Sequence, residues 1–318
     1  MSVIAQKKNK VIIILGPTAV GKTELSLKLA QHFNSEIISG DSMLIYKDFN
    51  IGTAKPTANE LSSIKHHLIN ILDPHETYNV TEFCQQADTL ITSLNEQHKL
   101  PIIAGGTGLY IKSLVEGYKF NAAPENPVYR SYLENLAQEH GRQYVLNMLT
   151  KVDPQTAKRL HINNFRRIIR ALEVYEYNKD TISQETSLQN GELLYNAVII
   201  GLNRNRQNLY ERINKRVDIM IDDGWINEVQ ELLDNGIDAS CQAMQAIGYR
   251  QLTAYLQKKI SLAAAIEDIK KTTRHFAKRQ LTWYRKMPYI NWFSVDELGN
   301  EELLLQVETL INEKFVLN

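Results

Sequence analysis

The chain has 318 residues, of which 43% are hydrophobic, enough for one large or two small domains with real cores, so a disordered tail or a miniprotein is excluded. Its two cysteines, Cys84 and Cys241, stand far apart without CxxC or CxxH partners, so neither a disulfide framework nor a zinc site can be read. The formal net charge is zero, but the average conceals clustering: Lys270 to Lys286 carries seven Lys or Arg and no acid, while acids gather in stretches such as IDDGWINEVQELLD.

In chain order, MSVIAQKKNK has basic residues but only the short run VIIIL behind them, which reads as a strand rather than a leader. No stretch approaches the roughly 18 apolar residues of a membrane span, and a cytoplasmic location is expected. VIIIL is followed by GPTAVGKT and a helix from about Lys22; EIIS by GDS; LPIIA by GGTGLYIKSLVEG. Strand, loop and helix in repetition predict a parallel sheet. FNAAPENP reads as a linker, and residues 128 to 195 show helical periodicity without a convincing strand until LLYNAVIIGLN. Long helical patterns then run to about Trp283, and YINWF is a late short strand. The expected fold is α/β: a P-loop NTPase-like parallel sheet flanked by helices, formed by 1–120 and 196–318, with an all-helical insertion at 121–195.

GPTAVGKT fits GxxxxGK[ST], with Gly16, Gly21, Lys22 and Thr23 at the required places. The glycines allow the tight turn, and the backbone N–H groups of Pro17's neighbours Thr18, Ala19 and Val20 can point at phosphate oxygens. Lys22 neutralises outer oxygens, and the Thr23 hydroxyl can ligate Mg²⁺. Strand before and helix after supply the right context. An NTPase also needs a strand-end acid and a group acting at the γ-phosphate. Only EIISGDS supplies a strand-end Asp, Asp41, and NKxD-type guanine recognition is missing. If Asp41 holds metal, no base is left for a kinase; if it is the base, the site suits a diphosphate leaving group.

The loop GPTAVGKT, then GDSMLIYKDFNIGTAKP, IIAGGTGLY, RRIIRALEVYE, AIGYRQ and RHFAKRQLTWYRK, in this order along nearly the whole chain, resemble the bacterial tRNA dimethylallyltransferase family. The resemblance implies transfer of a dimethylallyl group from dimethylallyl diphosphate to the exocyclic N6 of the tRNA adenine just 3′ of the anticodon. The P-loop, Gly16 to Thr23, would then hold the donor's diphosphate with Mg²⁺ on Thr23. Asp41 is implied as general base, with a magnesium ligand or a loop-capping Asp as its alternatives. Thr107 is implied as a contact near the reacting amine or diphosphate, with a helix N-cap as its plainer use.

The same resemblance implies tRNA contacts at Asp41, Ser42, Met43, Leu44, Thr107 and Arg130. It implies further ones at Gln245, Gly248, Tyr249 and Arg250, and at Lys278, Arg279, Gln280, Trp283 and Arg285. Leu44 stands where many relatives carry Gln, and Gln245 where a basic residue is usual. At 100° per residue Lys271, Arg274, Lys278 and Arg285 share one face, which is either a solvated surface or an RNA-binding stripe. Arg166, Arg167 and Arg170 crowd one helix, an arrangement that a polyanion would relieve. Arg204, Arg206, Arg212, Lys215 and Arg216 form a third basic group behind a strand. Gly248 would allow close backbone approach and Tyr249 could stack on a base, or be core. His66 and His67 read as structural, since adjacent side chains point apart. A monomer is expected. A kinase and a non-enzymatic P-loop module remain the competing classes.

Overall fold

A computed structural model describes residues 8–118, 123–179 and 192–315. Six strands form one sheet in the order β3-β2-β4-β1-β5-β6: β1 (Lys10–Leu15), β2 (Ile37–Ser39), β3 (His66–His67), β4 (Ile102–Gly105), β5 (Asn196–Asn203) and β6 (Asn291–Ser294). Every pairing is parallel. That geometry requires both faces to be covered and explains why β1 is an unbroken apolar run instead of an alternating one. Val11, Ile13 and Leu15 enter one core cluster, and Ile12 and Ile14 enter the other.

The second cluster is closed by α1 (Lys22–His32) through Leu25 and Leu29, and by α13 (Val295–Phe315) through Leu303, Val307 and Ile311. On the first cluster's side lie α3 (Val80–Glu96) and α4 (Gly108–Glu116), which pack Phe83, Ile91, Ile111 and Leu114. The same cluster takes Val217 from α9 (Arg206–Asp222), Trp225 and Val229 from α10 (Trp225–Asp234), and Tyr249 and Leu252 from α11 (Tyr249–Leu256). Ile269 and Tyr284 join it from α12 (Leu262–Tyr284). The short α2 (Ala58–Ser63) starts with a capping box in which Thr57 and Glu60 exchange hydrogen bonds.

The chain divides into two compact units, Met1–Val115 with Leu193–Asn318, and Glu116–Glu192. The second unit is helical among the described residues. It contains α5 (Pro127–His140), α6 (Arg142–Val152), α7 (Pro154–Arg159) and α8 (Phe165–Asn178) around Leu133, Val145, Leu149, Ile168 and Leu172. The end of the expected linker is a helix start: Asn126 caps Tyr129 N–H, and Pro127 occupies the first turn, where its missing N–H costs nothing. Residues 120–122 of that stretch lie outside the described residues.

Because β2, β4 and β1 are parallel neighbours, their carboxyl ends lie side by side. The P-loop after β1, the GDS loop after β2 and the GGTG loop after β4 therefore meet at one edge of the sheet. This is the place where open parallel sheets bind ligands.

Candidate active site

The P-loop joins β1 to α1 with Gly16 at φ 155° and Gly21 at φ 118°, conformations that a residue with a Cβ rarely adopts. Lys22 Nζ donates to the carbonyls of Gly16 (2.9 Å) and Pro17 (3.0 Å). Distant side chains hold the loop in place. Arg204 Nε donates to Val20 O (3.1 Å), Arg212 Nε to Ala19 O (3.0 Å), and Gln280 Oε1 accepts from Thr18 N–H (3.0 Å). Gln280 also donates through Nε2 to Gly106 O (2.7 Å), where the Tyr284 hydroxyl makes a second bond (2.7 Å). Gln280 thus stitches the P-loop to the GGTG loop.

Asp41 Oδ1 accepts from Met43 N–H (2.9 Å), an Asx turn that fixes the carboxylate at the end of β2. Its Oδ2 takes no hydrogen bond among the described residues. Thr107 Oγ1 accepts from Ser42 N–H (3.1 Å) and donates to Ser42 Oγ (3.4 Å), while Thr107 N–H donates to Gly40 O (3.3 Å). The Thr107 side chain therefore ties the GGTG loop to the Asp41 loop instead of capping its own helix.

These loops line a cleft of about 890 Å³, together with Leu44, the segment Thr53–Pro56, Phe276 and one face of α9 carrying Arg212, Lys215 and Arg216. Burial pushes the Lys22 ammonium down to about 8, against the pull of Asp41, and the Arg216 charge adds to the lowering. Burial likewise lowers the Arg216 guanidinium, with Asp41 opposing. Arg216 makes no hydrogen bond or ion pair among the described residues, so it presents a desolvated cation to the cleft. Of the other acids on the wall, Glu24 is paired with Lys28 (3.0 Å) and Glu60 with the cap of α2. The site is a cationic cleft with one available carboxylate. Such a cleft suits an anion bearing two or more charges.

Several expected RNA contacts are placed differently. Tyr249 is fully buried, its ring against Phe49 (4.6 Å) and Trp225 (5.8 Å), and its hydroxyl donates to Glu228 Oε1 (2.6 Å), so ring stacking on a base is corrected to a core role. A Cβ on Gly248 would strike Trp225 at 1.9 Å, which accounts for that glycine without a ligand. Gln280 is 5% exposed and serves the P-loop instead of a solvent-side partner. Gln245 Nε2 donates to Ala239 O (2.8 Å).

Arg130 and Arg170 converge on the buried Glu173: Arg130 forms a bidentate pair (2.9 and 2.9 Å) and Arg170 Nη1 lies 2.5 Å away. Both guanidinium groups are thus tied to an internal carboxylate while staying about a third exposed, 32% and 34%. Arg166, Arg167, Arg250, Lys278, Arg279 and Arg285 are exposed, and Ser42, Met43, Leu44 and Trp283 are half-buried. Lys270 pairs with Asp218 (2.5 Å) and Arg274 with Asn214 (2.7 Å), so of the expected stripe Lys271, Lys278 and Arg285 are left without an ion pair among the described residues. His67 is tied to Glu36 (2.6 Å) and His66 to Ile64 O (2.8 Å), structural as expected. Among the described residues no group of three or more His, Cys, Asp or Glu is placed to hold a metal.

Arg212, Lys215 and Arg216 were visible in the sequence as a charge group but not as cleft residues. Arg212 and Arg216 are one helical turn apart on α9, a spacing that was available as a signal.

A P-loop without a γ-phosphate apparatus, facing one strand-end carboxylate in a cationic cleft, defines a transferase that handles a phosphorylated donor. A family model described as IPP transferase matches residues 44–287. The tRNA dimethylallyltransferase of Bacillus cereus (strain AH187) is 45% identical over 309 residues, covering 97% of each chain, and that of Bacillus anthracis is 46% identical over 303 residues. The full-length tRNA isopentenylpyrophosphate transferase of Bacillus halodurans superposes with a TM-score of 0.73 at 41% identity, covering 96% of this chain and 97% of its own. A eukaryotic dimethylallyltransferase acting on tRNA gives 0.82 at 30% identity, covering 98% of this chain and 80% of its own. The chain belongs to the IPP transferase family.

Proposed function

We propose that this enzyme transfers a dimethylallyl group from dimethylallyl diphosphate to N6 of the adenine 3′-adjacent to the anticodon of tRNA. The observation that carries the reading is the meeting of the Lys22 P-loop and the Asp41 carboxylate in one cleft; the activities named for the relatives supply donor and acceptor.

In this reading the adenine N6 attacks the allylic C1 of the donor. The C1–O bond breaks, diphosphate leaves with the bonding electrons, and an N6 proton passes to Asp41 Oδ2. The diphosphate's charge grows as the bond breaks, so cations already fixed in a partly dry cleft lower the barrier. Lys22, Arg216 and the P-loop backbone N–H groups beyond Thr18, whose own N–H is taken by Gln280, are those cations and dipoles. The donor oxygens would draw Lys22 Nζ from the carbonyls of Gly16 and Pro17. On the cleft wall the Thr23 hydroxyl is a donor of the hard-oxygen kind that Mg²⁺ prefers when phosphate and water complete its shell. Bound there, Mg²⁺ would neutralise part of the diphosphate charge. Thr107, by holding Ser42 and Gly40, fixes the loop that aims Asp41.

An adenine stacked in an anticodon loop has to be extruded to reach this cleft. The exposed Lys278, Arg279 and Arg285, and in the helical unit Arg166 and Arg167, would contact phosphates. No described helix is long and apolar enough to cross a membrane, and the expected setting is a monomer in the cytoplasm, where tRNA is found. The test is incubation with Mg²⁺, labelled dimethylallyl diphosphate and unmodified tRNA, with ATP and AMP in parallel. Label in tRNA, lost when the anticodon-adjacent adenine becomes guanine, supports the reading. ATP consumption without label transfer would make the protein a kinase, and label in AMP alone would make the acceptor a free nucleotide.

A further inference from the structure

One wall of the donor cleft is a short strip of backbone. Ala54, Lys55 and Pro56 line both the 890 Å³ cleft and an adjoining cavity of about 540 Å³, which also share Arg216 and Ile219. The segment borders open space at two cavities, and it includes a residue in the left-handed region, Ala54 at φ 54°. What holds it comes from α10, far along the chain. Glu228 Oε2 accepts from Asn50 N–H (2.9 Å) and Ile51 N–H (2.7 Å), and Oε1 accepts from Gly52 N–H (3.2 Å) and from the Tyr249 hydroxyl (2.6 Å). Trp225 lies so close to Gly52 and Gly248 that a Cβ on either would meet its ring at about 2 Å. Inside the loop, Lys55 Nζ gathers Tyr46 O (2.8 Å), Asn50 Oδ1 (3.0 Å) and Asn70 Oδ1.

We infer that Glu228, oriented by Tyr249, is a positioning residue for the prenyl-diphosphate cleft: it clamps the 50–52 backbone so that Thr53–Pro56 stands opposite Arg212 and Arg216. The inference rests on the functional reading for the identity of the donor, but the clamp acts on the cleft itself. It assigns the Gly248–Tyr249 segment to donor binding rather than to RNA contact.

The test compares Glu228→Ala, Glu228→Gln and Tyr249→Phe with the unsubstituted enzyme in donor KM, kcat, tRNA Kd and the calorimetric Kd of inorganic diphosphate. Loss of charge-assisted bonds to the three N–H groups should raise donor KM and diphosphate Kd on the order of tenfold in Glu228→Ala. Glu228→Gln, which keeps the shape and one acceptor, should be intermediate, and Tyr249→Phe should move the same two quantities less. The Kd for tRNA should stay unchanged in all three. A merely structural glutamate would lower stability without separating donor from tRNA. Folded variants with unaltered diphosphate Kd would overturn the inference, and so would a fall in tRNA affinity with donor binding intact. If Glu228→Ala does not fold, the milder pair decides on the same criteria. Absence of prenyl transfer by the unsubstituted enzyme would sink the functional reading instead, and diphosphate Kd would still decide the clamp.

Discussion

Gln280 offers the sharpest separation between a residue that touches RNA and one that builds the donor site. Replacing it with Leu keeps the volume but removes the acceptor for Thr18 N–H and the donor to Gly106 O. Each bond is worth roughly 0.5–1.5 kcal/mol net, and an orphaned buried partner costs about 1–3 kcal/mol. Gly106 O keeps its bond from Tyr284, so the orphan is mainly the Thr18 N–H. The sum is about 2–3 kcal/mol of stability, with the P-loop released from the GGTG loop. Thermal unfolding, donor KM and tRNA Kd are the assays: Tm should fall by a few degrees, donor KM should rise and tRNA Kd should hold. Gln280→Glu should impair donor binding further, since it sets a carboxylate beside Gly106 O and the diphosphate. An undiminished Tm with weakened tRNA binding would refute the stitching role and return Gln280 to the RNA surface.

Burial holds the Lys22 ammonium at about 8, and the donor needs its charged form; kcat/KM for the donor should therefore be at its plateau below pH 8 and fall above it, by up to about tenfold per pH unit, with the break abolished in Lys22→Met. The bound anion favours the charged ammonium, so the corresponding break in kcat should lie at higher pH. Asp41→Ala should lower the single-turnover rate about 10²–10⁴-fold while tRNA binding stays near normal; unchanged chemistry would remove Asp41 as the base. Neutralising Lys278 and Arg285 together should flatten the dependence of log K for tRNA on log[salt] by up to about two units of slope, and an unaltered slope would return that face to bulk solvent.

What could be read from the residues divides along the range of the forces involved. β1, β2, β4 and β5 were legible because strands buried on both faces need continuous apolar runs, and the P-loop because its glycines and Lys22 act within eight residues of chain. β3 was not, since His66 and His67 carry no apolar pattern and become a strand only by pairing with Ile37 and Ile38. Pro127 read as linker because proline marks a turn and a helix first turn equally well. Tyr249 was left open between base and core, and Gln280 was set on the RNA side, for a related reason. Each can serve as a surface contact or as a buried group with its polar end satisfied, and the satisfying partners, Glu228 and the loops at Thr18 and Gly106, lie 21 to 262 positions away. The cleft cations of α9 were legible as charges but not as a site, because only the fold brings that helix across from the P-loop.

The zero net charge gains a meaning once the pairs are seen. Buried or half-buried carboxylates gather the cations that have structural work: Glu36 takes Lys65, His67 and Lys99 (3.2, 2.6 and 2.5 Å), and Glu173 takes Arg130 and Arg170. Desolvation alone would raise the Glu36 carboxyl, yet bonds from Lys99, His67 and Lys65 outweigh it and hold the group down at about 2. Its contribution to stability is therefore complete above the ordinary carboxylate range and is lost as pH falls from about 4.5 towards 2. Glu36→Gln should flatten that part of the acid-unfolding curve, and an unaltered curve would mean that the cluster is not coupled to folding. With those cations neutralised internally, the exposed Lys278, Arg279 and Arg285 keep their full field, and so do Arg212 and Arg216 in the cleft. A neutral chain can therefore keep cations uncompensated at those two places, because the buried Glu36 and Glu173 each gather two or more cations elsewhere.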